Sequence, residues 1–214
     1  IGRISELTGL SAAEVIKQLD DRIIFTPEGT YELNEVYLSG NVREKYEAVK
    51  GKKGFEKNEQ MLKDVIPEDI PAKNITPQFG SPWIAPSYVA DFLSETLHLY
   101  SKPTVSYDPT TGTWAVSNNS WGDNTLMTHK YGTKYIDAVK LAEKALNMRK
   151  IVVKDSDGVV LVGETRAAQQ KAEDIKAAFE EWCFKDSGRR QELTTTFNEK
   201  FNSHRNMDFS ELSK

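Results

Sequence analysis

An α+β fold rich in helix follows from three patterns in this 214-residue sequence. Apolar residues recur at helical spacing in several long stretches, two short alternating segments fold back about clusters of Pro, Gly and Asp, and a proline-dense run separates two differently patterned regions. The expected architecture is a small winged-helix-like module over residues 1–50, a connector over 51–85, and a helix-rich α+β domain with two β-hairpins over 86–214.

The N-terminal module reads as helix, turn, helix, hairpin. In "ISELTGLSAAEVIKQL", Gly9 breaks a first helix, and Ser11 with Glu14 has the spacing of a capping box opening a second, whose buried face is Val15, Ile16 and Leu19. "RIIFTPEGTYEL" follows as two short strands about Pro27-Glu28-Gly29. A helix from Val42 towards Lys50 is interrupted by "GKKG", and a further amphipathic stretch, "NEQMLKDVI", stops at Pro67. Five prolines within the twenty residues 67–86 mark the connector, which Phe79, Trp83 and Ile84 pin to a core.

Beyond Pro86, Val89, Phe92, Leu93, Leu97 and Tyr100 at near-helical spacing predict a helix with Pro86 and Ser87 as start signals. "PTVSYDPTTGTWAV" predicts a hairpin with one buried face, Val105 and Tyr107 on one arm and Trp114 and Val116 on the other, joined by a Pro-Thr-Thr-Gly turn. A helix over about 134–148 buries Ile136, Val139, Ala142 and Leu146, and "IVVKDSDGVVLVGE" reads as the second hairpin. Ala168, Ala172, Ile175, Phe179 and Trp182 line one face of a long helix, which Ser187-Gly188 separates from a last helix carrying Leu193, Phe197 and Phe201.

Composition narrows the function. No apolar run approaches the roughly 20 residues that cross a bilayer, no signal-peptide pattern stands at the N-terminus, and the single cysteine, Cys183, excludes an internal disulfide, so a cytoplasmic location without membrane partners is expected. The chain starts at Ile1, which points to a piece of a longer protein. Formal net charge is −4, against coating of nucleic acid by bulk electrostatics. Two local basic excesses stand out: residues 39–63 with seven basic and four acidic side chains, and residues 123–154 with seven basic and three acidic. Arg43, Lys50, Lys52 and Lys53 in the first, and Lys130, Lys134, Lys140 and Lys144 in the second, are the candidate phosphate contacts on DNA. The second predicted helix is a poor reader of a DNA groove, because Glu14, Asp20 and Asp21 oppose Lys17 and Arg22.

Catalytic patterns fail on inspection. "SPWI" departs from the (Asp/Asn/Ser)-Pro-Pro-aromatic tetrad of adenine methyltransferases, because Trp83 stands where the second proline belongs; Trp83 is read as a core anchor. Gly51-Lys52 lacks the spacing of a phosphate-cradling loop, and His98, His129 and His204 are too scattered for a helix-borne metal pair. Cys183 reads as a packed or half-exposed thiol, in preference to a dyad with His204. "THKYGTKY", 128–135, is the remaining polar cluster, offering either a phosphate seat at a helix start or an ordinary cap; the cap is preferred. Arg189, Arg190, Lys200 and Arg205 read as a solvated helix face.

Four stretches taken in order carry a family resemblance: "YLSGNVREK" (37–45), "GSPWIAPSYVADFLSETL" (80–97), "YGTKYIDAVKLAEKALNMR" (131–149) and "AAFEEWCFKDSGRRQELTTTFNEKFNS" (177–203). They resemble the region between the two engines of very large phage and mobile-element proteins that join an adenine-specific DNA methyltransferase to a Swi/Snf-like superfamily-two helicase. "LSGNVREK" and "FNEKFNS" are the most specific words. "GSPWIAP" departs from the Gly-Ala-aromatic-Ile-Pro phrase usual there. The resemblance implies a parent that uses S-adenosylmethionine in one part and ATP with magnesium in another. It implies for this chain a non-catalytic connector, without a cofactor of its own, that binds or positions DNA. The alternative is a scaffold docking onto the neighbouring methyltransferase and helicase domains without touching DNA.

Overall fold

Capping chemistry sets the first helices in the computed structural model, which describes residues 1–207. Helix α1 (Gly2–Thr8) ends at Gly9, whose N–H returns to the Ser5 carbonyl at 2.9 Å. Helix α2 (Ala12–Gln18) opens on the expected capping box: the Glu14 N–H donates to Ser11 Oγ, and the Glu14 carboxylate accepts from the Ser11 N–H at 2.8 Å. Strands β1 (Ile23–Phe25) and β2 (Tyr31–Leu33) pair antiparallel, Phe25 facing Tyr31, and lead into the single-turn helix α3 (Asn34–Tyr37). After strand β3 (Gly40–Asn41), helix α4 (Val42–Val49) and helix α5 (Glu56–Val65) pack on each other. Ile24, Tyr37, Val42, Val49 and Leu62 form their common core. Asn58 of α5 is buried and donates to the Phe25 carbonyl at 2.9 Å, tying α5 to the hairpin.

The chain divides differently from the expected scheme. Among the described residues, one compact unit comprises 1–70 together with 197–207, and a second comprises 71–196. The expected connector is thus split. Residues 51–70 belong to the first unit because Leu62 is fully buried in its core, and residues 71–85 belong to the second because Phe79 and Ile84 are buried there.

In the second unit, helix α6 (Pro86–Leu97) starts on proline at its first helical position and buries Val89, Phe92, Leu93 and Leu97. Strands β4 (Thr104–Asp108) and β5 (Thr113–Ser117) form the expected hairpin, with Val105 opposite Val116 and Tyr107 opposite Trp114. Trp114 is 1% exposed and is held on three sides: its indole N–H donates to the Gly80 carbonyl at 3.0 Å, and its own N–H and carbonyl are both bonded by the Asn147 side-chain amide at 2.8 Å. Gly80 is required there, because its φ is +94° and a Cβ would lie 2.4 Å from the Leu146 carbonyl oxygen. Trp83 packs half-buried against the same core, as an anchor.

Helix α7 (Ala138–Leu146) starts later than its periodicity predicts. Thr133 Oγ1 accepts from the amides of Tyr135 and Ile136, and the Asp137 carboxylate caps the helix by accepting from the Lys140 amide, which fixes the start at Ala138. The second expected hairpin is present in reduced form, closed by one antiparallel bridge, Lys154 to Val160. The Asp155 carboxylate accepts from the amides of Asp157 and Val159, curling the tip, while Val159 and Val160 stay exposed, so no buried face extends the pairing. Helix α8 (Val162–Lys185) buries the predicted Ala168, Ala172, Ile175, Phe179 and Trp182. Phe79, Phe92, Phe179 and Trp182 meet with ring centroids 4.9–5.8 Å apart across several pairs.

The division between units falls within helix α9 (Ser187–Phe201), after which strand β6 (His204–Arg205) pairs with β3. Asn198 is 1% exposed; its amide nitrogen donates to the Ile70 carbonyl and its oxygen accepts from the Ile70 amide. Asn198→Ala leaves both Ile70 groups unpaired, and the expected cost is about 1–3 kcal/mol, read as a lowered urea midpoint with unchanged slope.

Candidate functional site

The first basic cluster lies on α4, the turn after it and α5. Arg43, one of the candidate phosphate contacts, is engaged inside its own unit. Its guanidinium is 19% exposed and turned inward: Nε donates to the Asn202 carbonyl at 2.9 Å, and Nη2 donates to the Pro67 carbonyl and the Asp69 carboxylate at 2.7 Å each. It fixes the returning C-terminal segment and the end of α5 to α4, because a planar fork satisfies three acceptors at once. "LSGNVREK" and "FNEKFNS", distant in sequence, therefore meet as one structural lock. Arg43→Ala is expected to cost about 2 kcal/mol or more in urea unfolding, with little rescue by Arg43→Lys.

Lys45 is likewise occupied: its ammonium donates to the carbonyls of Tyr37 and Ser39 at 2.8 and 2.9 Å, at the end of α3. Lys50 pairs with Glu47 at 3.1 Å, and that hydrogen bond holds the Lys50 ammonium above its ordinary pKa. Lys52 and Lys53 differ. They stand exposed on a turn whose glycines, Gly51 and Gly54, have φ of +67° and +91°. The turn is held from below: the Gly51 N–H donates to the Glu59 carboxylate at 2.9 Å and the Gly54 N–H to that of Glu56 at 3.1 Å. The Glu56 carboxyl is kept below its usual range by its own backbone amide and that of Gly54. Among the described residues neither lysine has an ion-pair partner.

The second basic cluster belongs to the second unit. Lys134 faces Glu164 at 3.9 Å, and Lys140 faces Asp137 at 3.3 Å. The Lys130 and Lys134 ammonium groups each lie 4.9 Å from the ring centre of the following tyrosine, and Lys144 is half-buried on α7. The "THKYGTKY" segment begins in a π-turn, Leu126–Lys130, and runs to a turn in which Thr133 Oγ1 accepts from the Tyr135 and Ile136 amides; the cap of α7 is Asp137, just beyond it, which takes the Lys140 amide.

Other polar groups lie where the pattern gave no warning. Arg189 is not solvated: its guanidinium lies 3.4 Å from the centre of the Trp182 ring and donates twice to the Trp182 carbonyl, while Arg190 donates to the Phe184 carbonyl. Together they close the free carbonyls at the end of α8. The Trp182 indole N–H donates to Glu95 at 2.6 Å, and the Tyr88 hydroxyl to Glu192; burial first, and then Glu192, push the Tyr88 phenol up to about 12. In the first unit, a pocket of about 330 Å³ between the hairpin turn and α4 is lined by Glu28, Glu32, Tyr37 and Glu44, which no spacing rule singles out.

No catalytic constellation is assembled from the groups named. Cys183 is fully buried, and burial pushes its thiol up to about 12, with Glu180 adding to the rise and Arg189 opposing it. His204 Nδ1 bonds its neighbour Ser203 at 3.0 Å, and among the described residues no group of three or more His, Cys, Asp or Glu is placed to hold a metal ion. No helix among the described residues is long and apolar enough to cross a membrane. The Cys183 environment predicts no reaction with a thiol-specific disulfide reagent at pH 8 in the native state and release of one equivalent after denaturation; rapid native reaction would contradict the burial.

Residues 78–203 match a protein family described as Domain of unknown function (DUF8437). No curated protein and no solved structure matches the chain.

Proposed function

The chain belongs to the DUF8437 family, and from that premise and the geometry above we propose that it is a non-catalytic connector module of a larger DNA-modifying protein, acting as a scaffold onto which neighbouring methyltransferase and helicase domains dock. The parent, with its S-adenosylmethionine and ATP chemistry, enters through the sequence resemblance. The observation carrying the scaffold reading is the fate of the candidate cations. Arg43 is an internal lock, and Lys50, Lys134 and Lys140 each face a carboxylate of the same unit. A phosphate backbone would have to compete with those carboxylates in a chain of net charge −4.

One observation favours a second reading, direct DNA contact: the exposed, unpaired Lys52 and Lys53 on their glycine-bounded turn. Fluorescence anisotropy of labelled duplex and single-stranded DNA against the chain, at several salt concentrations, separates the two. The scaffold reading expects no saturable binding at about 100 mM salt, where screening leaves only genuine phosphate contacts. Binding that falls steeply with salt and is lost in a Lys52→Glu, Lys53→Glu double variant of unchanged thermal stability would replace it with the DNA-contact reading.

A further inference from the structure

The first hairpin carries an aromatic outer face. Strand alternation sends Ile24 into the core and turns Phe25 the other way, and Tyr31, its cross-strand partner, follows it. The solvated face of a hairpin ordinarily bears polar side chains, yet Phe25 is 44% exposed and Tyr31 39%. The two rings lie 5.2 Å apart, and Phe55 extends the row, its ring centre 6.4 Å from that of Phe25. Phe25 and Phe55 are inclined by 15°, so both suit one flat partner, laid across them or between them.

Charge stands beside the rings. Phe55 closes the lysine turn, its N–H donating to the Lys52 carbonyl at 3.2 Å, and two residues of chain keep the Lys53 Cα within about 7 Å of the Phe55 Cα. Phe55 is half-buried against the core of its unit, which anchors turn and ring together. Lys52, Lys53 and Lys57 pair with no carboxylate among the described residues, and the Lys57 ammonium points to the Asp20 carbonyl at 3.3 Å. The carboxylates nearest the turn in sequence, Glu56 and Glu59, are bonded to the Gly54 and Gly51 amides. Glu32 lies on the opposite face of the hairpin from the rings.

We infer that Phe25, Tyr31 and Phe55 form a stacking platform for the unpaired bases of a single-stranded nucleic acid whose phosphates meet Lys52 and Lys53. Each nucleotide supplies both a flat face and an anion, which are the two partners this surface lacks. Duplex bases are stacked on one another and present no free face, and an apolar protein segment would cover the rings and leave the lysines without counter-charge. The inference rests on the DNA-contact reading of Lys52 and Lys53, not on the scaffold reading, and specifies the strand form that contact takes. Single-stranded DNA and RNA share this chemistry.

The test is fluorescence anisotropy of the full chain with four labelled probes of about 15 nucleotides, at salt from about 25 to about 100 mM: oligo-dT, oligo-rU, an abasic strand with the same phosphates, and a duplex. Oligo-dT or oligo-rU should bind saturably, about tenfold or more tighter than the abasic strand and the duplex. Tighter oligo-dT assigns DNA, tighter oligo-rU assigns RNA, and equal binding assigns a site that reads no sugar. Two phosphate contacts predict a double-logarithmic salt slope of about −1.4, which Lys52→Ala with Lys53→Ala should flatten towards zero. Phe25→Leu with Tyr31→Leu keeps apolar side chains on the strands and should weaken binding about tenfold or more at unchanged slope. The abasic comparison uses the unaltered chain and decides even where a ring variant unfolds. An abasic strand or a duplex bound as tightly as oligo-dT would overturn the inference and leave the lysine contact standing. No saturation by any probe would overturn it together with the DNA-contact reading, and would leave the ring face to an apolar protein surface.

Discussion

A primary amide on the last helix bonds both polar groups of a single peptide residue 128 positions away: Asn198 donates to Ile70 O and accepts from Ile70 N. That bond is one of several ties between the two stretches of chain that make up the first unit. With it, Asn202 reaches the Glu68 carbonyl at 2.7 Å, Arg43 reaches Asn202, and β6 closes on β3. The core beneath contains only five buried apolar residues, so polar closure carries a large share of its specificity. Amides suit this task because one side chain both donates and accepts, and neither group bears a charge that burial would penalise.

The second unit solves the same problem with apolar mass. Its aromatic cluster of Phe79, Phe92, Phe179 and Trp182 joins three distant segments, and Trp114 is pinned by Gly80 and Asn147 instead of being left to packing alone. Arg189 over Trp182 shows how a charge enters such a core. Its guanidinium stacks on the indole face while its N–H groups satisfy a helix-end carbonyl, so the ion remains hydrogen-bonded.

Charge is handled locally throughout. The basic excess over residues 39–63 is real as a count, yet five of its seven members divide into an inward lock, a helix-end cap, a carboxylate pair and an exposed turn. Exposed pairs such as Lys140 with Asp137 contribute little stability, and their consequence is electrostatic: each lowers the positive potential available to a polyanion.

Sequence alone determined what depends on neighbours in the chain. The capping box of α2, the buried stripe of α8 and the α+β class all follow from spacings of two to four residues, where backbone geometry dictates which side chains share a face. Tertiary structure decided what depends on partners far away. Arg43 looked like a phosphate contact because a lone arginine on a polar helix gives no sign of the carbonyls awaiting it, and the start of α7 was misplaced because periodicity extends through residues whose amides Thr133 and Asp137 claim. That the segment after Thr196 returns to the first unit was equally hidden, because Asn198 meets Ile70 across 128 residues of chain. A hydrogen bond between distant residues has no period, and only the folded chain brings its two ends together.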